Sequence, residues 1–276
     1  MSHSSFNLHL VSDSTGETIL SVARACVVQF ADYEAKKYLW PMIRSTTALD
    51  EALLSIETMP GPVLFTLVDE HLRIHLVNAC ARLNLPCIPL LDQVMSALGS
   101  YLGAKRSAKP GRQHVMDAEY FDRIDAMQYV LAHDDGQGVQ ALDQADVVLV
   151  GVSRTSKTPT CIYLANRGIR AANVPIIPGV EAPQELLLCT HPLVVGLTTD
   201  PKRLVQIRRN RLLALNEDER SPYVDIEMVT QEVAQARRLC SRYNWPILDV
   251  TRRSIEETAA AVMQLLKRKQ TGQLVR

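Results

Sequence analysis

Short apolar runs alternate with longer amphipathic stretches along the first hundred residues of the chain. The short runs are rich in aliphatic residues and predict strands, whereas the longer stretches carry apolar residues at helical spacing. A regular alternation of strands and helices favours right-handed crossovers and a parallel sheet. The predicted strands are Leu8–Val11, Tyr38–Ile43, Val63–Val68 and Pro86–Leu91, and the predicted helices are Glu17–Phe30, Ala48–Thr58, Glu70–Leu83 and Gln93–Leu102.

The alternation stops at residues 104–114 and restarts further along the chain. This segment is basic, contains Pro-Gly and has no periodicity, so it is predicted to be a linker. The pattern therefore predicts an α/β protein with two parallel-sheet units, residues 1–103 and residues 104–276. The elements predicted in the second unit are the helix Asp117–Ala132, the strands Val147–Val150, Val174–Ile177, Leu193–Leu197 and Pro246–Val250, the helices Thr160–Arg167 and Lys202–Leu212, and a helix that starts with a capping box at Ser254–Glu257.

The segment from Gly151 to Thr158 has the spacing of a phosphate-binding loop. It follows an apolar strand and precedes an amphipathic stretch, which is the context that such a loop requires. Backbone N–H groups at the start of a helix form a concave anion site, and the helix dipole favours negative charge there. Lys157 is expected to contact a β-phosphate, and the Thr158 hydroxyl to hold Mg²⁺. The predicted nucleotide-binding residues are Gly151, Val152, Ser153, Arg154, Thr155, Ser156, Lys157 and Thr158.

One position departs from the general pattern G-x-x-x-x-G-K-[ST]. Ser156 stands where the second glycine belongs, and serine reaches positive φ less easily than glycine. The strand before the loop and the helix after it still favour a phosphate loop, and they predict a C-terminal unit that resembles a P-loop kinase.

Composition narrows the class of protein. Thirty basic residues balance thirty acidic ones, so no general attraction to nucleic acid or to a membrane surface is expected. The six cysteines include no C-x-x-C pair and lie in apolar stretches, which predicts buried free thiols in a reducing compartment. No secretory signal and no run long enough to span a bilayer is visible, so a cytoplasmic protein is expected.

A second polar turn follows the first predicted strand. Ser12, Asp13, Ser14, Thr15 and Gly16 lie at the carboxyl end of that strand, where open α/β sheets bind their ligands. These residues are candidates for a second anion or target site. A capping box between Ser14 and Glu17 is the structural alternative, although it accounts for only part of the turn.

Three further groups of charged residues are catalytic candidates. Asp134 and Asp135 lie in a turn after the helix Asp117–Ala132, and phosphoryl transfer needs carboxylates both for Mg²⁺ and as a base. Helical geometry places Arg208 and Arg211 within the apolar stripe of their helix, where arginine needs an anionic partner. Lys157, in the phosphate-binding loop, is the third catalytic candidate. A polar connection and a structural salt bridge are the respective alternatives for the aspartates and the arginines.

The polar segments resemble those of a known family, in the same order. The Ser12–Thr18 turn, the His133–Gly136 turn and the Gly151–Pro159 loop are similar to those of the regulatory proteins of pyruvate, phosphate dikinase and phosphoenolpyruvate synthase. The resemblance continues through Tyr163–Gly168 and Gly196–Thr198, so it covers almost the whole chain. Serine at the sixth position of the loop is a trait of that family.

The resemblance implies a bifunctional enzyme. Such proteins use ADP to phosphorylate a threonine of the dikinase, which inactivates it, and they remove the phosphate with inorganic phosphate, which forms pyrophosphate. Mg²⁺ bound with the nucleotide at Thr158 is expected, and no other metal site. Both reactions are expected to share one centre near Lys157, with the Ser12–Gly16 turn helping to place the target or the phosphate.

The family has two branches, which differ in the enzyme that they act on. Segments Tyr223–Glu227 and Ile247–Glu257 look more like the branch that acts on pyruvate, phosphate dikinase than like the branch that acts on phosphoenolpyruvate synthase. An ATP-dependent P-loop metabolite kinase and a nucleotide-sensing module without turnover remain the alternatives from other classes. No nucleic-acid or membrane partner is expected, and a homodimer is left open.

Overall fold

A computed structural model describes residues 4–104, 118–215 and 222–273. The chain divides into two compact units, Met1–Val115 (unit 1) and Met116–Arg276 (unit 2), and each contains a four-stranded parallel sheet. The predicted α/β class with two parallel sheets is therefore confirmed. Residues 105–114 of the predicted linker, and Asp117 at the start of the next predicted helix, lie outside the described residues.

Unit 1 alternates strands and helices along the chain, and its sheet has the order β2-β1-β3-β4. Its strands are β1 (Ser4–Val11), β2 (Tyr33–Trp40), β3 (Val63–Phe65) and β4 (Cys87–Pro89), and its helices are α1 (Glu17–Val27), α2 (Thr46–Thr58), α3 (Glu70–Arg82) and α4 (Asp92–Leu102). Alternate residues of β1 enter different clusters, since Leu8 and Leu10 pack with α1, whereas Val11 packs with α2 and α3. Helices therefore cover both faces of this sheet.

Unit 2 repeats this strand order, as β6-β5-β7-β8. Its strands are β5 (Val147–Gly151), β6 (Ala171–Pro175), β7 (Leu193–Thr198) and β8 (Ile247–Asp249), and its helices are α5 (Ala118–Ala132), α6 (Lys157–Ala165), α7 (Gln184–Leu188), α8 (Pro201–Leu215), α9 (Ile226–Arg242) and α10 (Ile255–Gln270). Every residue of β5 and β7 is buried, as expected for central strands of a parallel sheet covered on both faces.

The strand order determines where a ligand can bind. In each unit the first and third strands are neighbours, and the chain leaves them towards opposite sides of the sheet. A crevice forms at the carboxyl ends of two such strands, and doubly wound sheets bind their ligands there. In unit 1 the crevice lies after Val11 and Phe65, and in unit 2 it lies after Gly151 and Thr198.

Several element predictions were wrong in position. β2 begins at Tyr33 and not at Tyr38, because it is an edge strand with mostly exposed, partly charged residues that give no apolar run. β6 is Ala171–Pro175 and not Val174–Ile177, since its first residues are small and one is polar. Helices α7 and α9 were not predicted.

The two predicted capping boxes differ in outcome. Ser254 and Glu257 form the reciprocal hydrogen bonds of a capping box, as predicted. The Ser14–Glu17 box was wrong, because α1 has Gly16 at its N-cap with no side-chain hydrogen bond.

Two further expectations concern the cysteines and the membrane. All six cysteines are free thiols, but Cys26 is exposed and Cys87 only half-buried, so the expectation of six buried thiols was wrong for these two. Among the helices of the described residues, none has the length and apolar character needed to cross a membrane.

Candidate functional site

The Gly151–Thr158 segment forms a tight loop between β5 and α6. Gly151 passes so close to β7 that a Cβ on it would lie 2.4 Å from the Leu197 carbonyl oxygen. Arg154 and Ser156 adopt positive φ angles of 71° and 61°, so the serine takes the backbone conformation that the general pattern assigns to glycine. Ser156 is the N-cap of α6 and makes no side-chain cap hydrogen bond, which leaves the first amides of the helix available to an anion.

Lys157 lies inside this loop. Its Nζ donates a hydrogen bond to the Val152 carbonyl oxygen at 3.1 Å, and the residue is only 5% exposed. Burial lowers the pKa of Lys157 to about 8, and the nearby carboxylate of Asp135 opposes this shift. The Thr155 hydroxyl donates to the same carbonyl oxygen at 2.9 Å. The loop is thus folded around a poorly solvated ammonium group.

Asp134 connects the phosphate loop to β6. Its Oδ1 accepts hydrogen bonds from the Thr158 hydroxyl, at 2.9 Å, and from Nδ2 of Asn173. Asn173 Nδ2 also lies 3.2 Å from the Thr158 hydroxyl oxygen. Asn173 was not predicted from the sequence, although a single amide within the buried strand Ala171–Pro175 was a signal that could have revealed it.

Asp135 differs from Asp134 in its surroundings. It is exposed, has a φ of 49°, and its carboxylate has no hydrogen-bond partner among the described residues. His133, two residues before Asp135, is buried, stacks on Tyr129 with ring centroids 3.8 Å apart and bonds to the Tyr129 carbonyl oxygen. The histidine therefore anchors the turn, and Asp135 is the solvent-accessible carboxylate beside Lys157.

Arg208 supports the phosphate loop from α8. Its guanidinium is 1% exposed, pairs with Glu232 of α9 at 2.6 Å, and donates to the Ser153 carbonyl oxygen at 3.4 Å. It also lies over the Tyr223 ring, at 4.3 Å from the centroid, and donates to the Tyr223 carbonyl oxygen. The Tyr223 hydroxyl is 3.2 Å from the Ser153 hydroxyl. These contacts match the structural salt bridge that the sequence analysis gave as the alternative for this arginine.

Arg211 does not share this position, and the prediction that it points inward was wrong. It is exposed, because the buried stripe of α8 consists of Leu204, Val205, Arg208 and Leu212 and is rotated away from Arg211. Glu232 was missed because α9 was not predicted, and Tyr223 lies in a short turn of helix, Pro222–Val224, just before α9.

The Ser12–Gly16 turn belongs to unit 1. Ser12, Asp13 and Ser14 are buried, and Ser12 Oγ accepts a hydrogen bond from the Thr66 hydroxyl at 3.1 Å. Asp13 Oδ2 accepts one from the Val68 amide at 2.8 Å, so the turn joins the carboxyl ends of β1 and β3. Burial raises the pKa of Asp13. Anion or target binding at this turn stays a prediction.

The fold is that of an α/β protein with a tight strand–loop–helix turn beside two carboxylates, and comparison with known proteins supports an enzyme of the kinase type. The model of the kinase/pyrophosphorylase family matches residues 8–263, and the chain belongs to that family.

Similar proteins carry names that provisionally assign them as pyruvate, phosphate dikinase regulatory proteins. The chain is 57% identical over 261 residues to one from Caulobacter vibrioides, covering 95% of this chain and 83% of the relative. It is 56% identical over 263 residues to one from Paramagnetospirillum magneticum, covering 95% and 85%. It is 53% identical over 270 residues to one from Bradyrhizobium diazoefficiens, covering 98% and 97%.

Proposed function

We propose that this chain is a bifunctional regulatory enzyme that acts on pyruvate, phosphate dikinase in the cytoplasm. In one direction it phosphorylates a threonine of the dikinase with ADP and inactivates it. In the other it removes that phosphate with inorganic phosphate and restores activity. The observation that carries the proposal is the buried ammonium of Lys157 in the phosphate loop with the accessible carboxylate of Asp135 beside it.

In the kinase direction, the β-phosphate of ADP lies in the loop and the threonine hydroxyl attacks its phosphorus. A bond forms between the threonine oxygen and phosphorus, the bond to the bridging oxygen of ADP breaks, and AMP leaves. Asp135 accepts the hydroxyl proton, because Asp134 is already bonded to Thr158 and Asn173. Lys157 stabilises the charge that spreads over the transferred group.

Phosphorolysis uses the same groups in the opposite sense. An oxygen of inorganic phosphate attacks the phosphothreonine phosphorus, the threonine oxygen leaves and takes back a proton from Asp135, and pyrophosphate is released. Each direction transfers one phosphoryl group through a loose transition state, so the same positioning and cationic stabilisation serve both. This supports a single centre around Lys157.

Thr158 and Asp134 would hold Mg²⁺ beside the nucleotide. Their side-chain oxygens are hydrogen-bonded at 2.9 Å, so both would lie close enough to contact one ion, and both are oxygen ligands of the kind that Mg²⁺ prefers. The described residues contain no cluster of three His, Cys, Asp or Glu side chains that could bind a metal. The ion neutralises phosphate charge when bound.

Transfer of label tests the proposal directly. The purified protein is incubated with pyruvate, phosphate dikinase or with phosphoenolpyruvate synthase, using ADP labelled at the β-phosphate or ATP labelled at the γ-phosphate. We expect label from ADP on a threonine of the dikinase, and release of labelled pyrophosphate when inorganic phosphate is added. Label on the synthase would show that the synthase, and not the dikinase, is the target. Label from ATP on a small metabolite, or no label at all, would reject the proposal.

Substitution of the loop lysine adds a matched comparison. Lys157→Ala should abolish transfer and weaken ADP binding by at least about 30-fold, because removal of one partner from a desolvated ion pair is costly. Lys267→Ala removes an exposed lysine from α10 in the same unit and should change neither property. Calorimetric titration with ADP measures both variants, and an unchanged affinity in Lys157→Ala would show that the loop does not bind the nucleotide.

A further inference from the structure

A cavity of about 810 Å³ opens beside Asp135 in unit 2. Its walls are the turn that carries Asp135, the carboxyl end of β6, the segment 177–184 and the side of α9. Asp135 is the only lining residue that the proposed chemistry uses. The cavity therefore includes Asp135 in its lining, and none of its lining residues belongs to the Gly151–Thr158 loop.

The floor and one wall of this cavity are apolar. Val174 and Ile176 form the floor, while Ile177 and Val180 are more than half exposed on the wall. Tyr243 also lines the cavity and stacks on Trp245, with ring centroids 5.1 Å apart. Exposed aliphatic side chains around a concave, preformed surface are typical of a binding site.

The wall formed by α9 is cationic. Arg238 and Arg242 lie one helical turn apart and line the cavity, and both are exposed. Neither has a carboxylate partner among the described residues. Glu181 is the one carboxylate on the segment facing them. An occupant that places an acidic group against α9 would match this arrangement of charge.

The direction of phosphoryl transfer decides which substrate uses the cavity. The attacking and leaving oxygens lie roughly in line on opposite sides of the phosphorus. Asp135 must reach the attacking threonine hydroxyl, so the acceptor approaches from the side of Asp135 and the nucleoside part of ADP lies on the other side. The cavity behind Asp135 is then on the acceptor side.

The geometry points to this cavity as the binding site for the segment of the protein substrate that flanks the accepting threonine. The segment would place an apolar side chain over Val174 and Ile176 and an acidic side chain against Arg238 and Arg242. This inference rests on the proposed phosphoryl transfer to a protein threonine. It adds a specificity site that acts in both directions, because the same segment must bind before phosphorylation and before phosphorolysis.

Charge reversal on α9 tests the inference in the full-length protein. The double variant Arg238→Glu/Arg242→Glu should raise the KM for the dikinase at least about tenfold in both directions, while kcat changes little. ADP affinity, measured by calorimetry without the target, should stay unchanged. Ile177→Glu alters the apolar wall independently and should also raise this KM.

Arg209→Glu is the matched control, because Arg209 is exposed on α8 of the same unit and does not line the cavity. It should behave as the wild type. Weakened ADP binding in the α9 variant would instead assign the cavity to the nucleoside and overturn the inference. An unchanged KM in both folded cavity variants would also overturn it, whereas a wild-type protein that transfers no phosphate would refute the proposed function itself.

Discussion

At the scale of single residues, the buried ammonium of Lys157 is expected to couple ADP binding to the uptake of a proton. Burial lowers its pKa to about 8, against about 10.4 for a solvated lysine. A phosphate group in the loop stabilises the charged form and so raises this pKa again. Above pH 8 the free protein has partly lost the proton that the complex requires, and ADP binding must then take up a proton.

We expect ADP affinity to fall as the pH rises above about 8, by up to about tenfold per pH unit, and to change little between pH 6 and 7 from this cause. Calorimetry in two buffers of different ionisation enthalpy measures the proton uptake at pH 9. Lys157→Met removes the titrating group while keeping an extended side chain. This variant should bind ADP weakly at both pH values without proton uptake, and equal proton uptake in the two proteins would contradict the assignment.

At the scale of elements, the Arg208–Glu232 pair joins α8 and α9 beneath the phosphate loop. The guanidinium is almost fully buried, whereas the carboxylate is 14% exposed. Removal of one partner from a buried pair leaves an uncompensated charge, and this is more destabilising than replacing both partners.

Glu232→Gln should therefore lower the free energy of unfolding by about 3 kcal/mol and weaken ADP binding, since Arg208 would no longer be held against Ser153. The double variant Arg208→Met/Glu232→Leu should be more stable than Arg208→Met alone. Urea unfolding measures all three. The partly exposed pair Arg170–Asp146, with its charged atoms 3.7 Å apart, is the control, and Asp146→Asn should cost less than about 1 kcal/mol. Equal losses at the two sites would contradict the role of the buried pair.

The sequence predicted the central strands and the strand–loop–helix arrangement around Gly151–Thr158 well, because their residues carry the signal themselves. β5 and β7 are continuous apolar runs, and Gly151 and Lys157 keep the spacing of the motif. The residues that hold this loop in place were harder to predict. Arg208, Tyr223 and Glu232 belong to different elements and meet only through tertiary packing. A hydrophobic pattern cannot distinguish an arginine that contacts a ligand from one that contacts a neighbouring helix, and it misplaced Arg211 by a fraction of a helical turn.

At the scale of the whole molecule, the two units have separate hydrophobic cores. The buried clusters of unit 1 lie between residues 8 and 80, and those of unit 2 lie between residues 126 and 262. No buried residue of these clusters is shared between the two units. Chains with independent cores need not unfold in one step.

Calorimetry of the full chain should show two unfolding transitions. ADP at about a hundred times its dissociation constant should stabilise only the one that belongs to unit 2, by about 2.7 kcal/mol, or roughly 5 to 10 °C. Lys157→Ala should remove that shift and leave the other transition unchanged. Equal shifts of both transitions, or a single transition, would contradict independent unfolding of the units.

Hydrogen bonds within the protein hold the Gly151–Thr158 loop in place without a ligand. Val152 accepts hydrogen bonds from Thr155 and Lys157, and Arg208 and Tyr223 hold Ser153 from outside the loop. Little conformational entropy is then lost when an anion enters, and the gain is nearly the same for any phosphate ester of suitable size. If the proposed function holds, a loop held rigidly in this way binds phosphate without distinguishing the molecule that carries it. Discrimination between ADP, inorganic phosphate and other cellular phosphates must therefore come from side chains outside the loop.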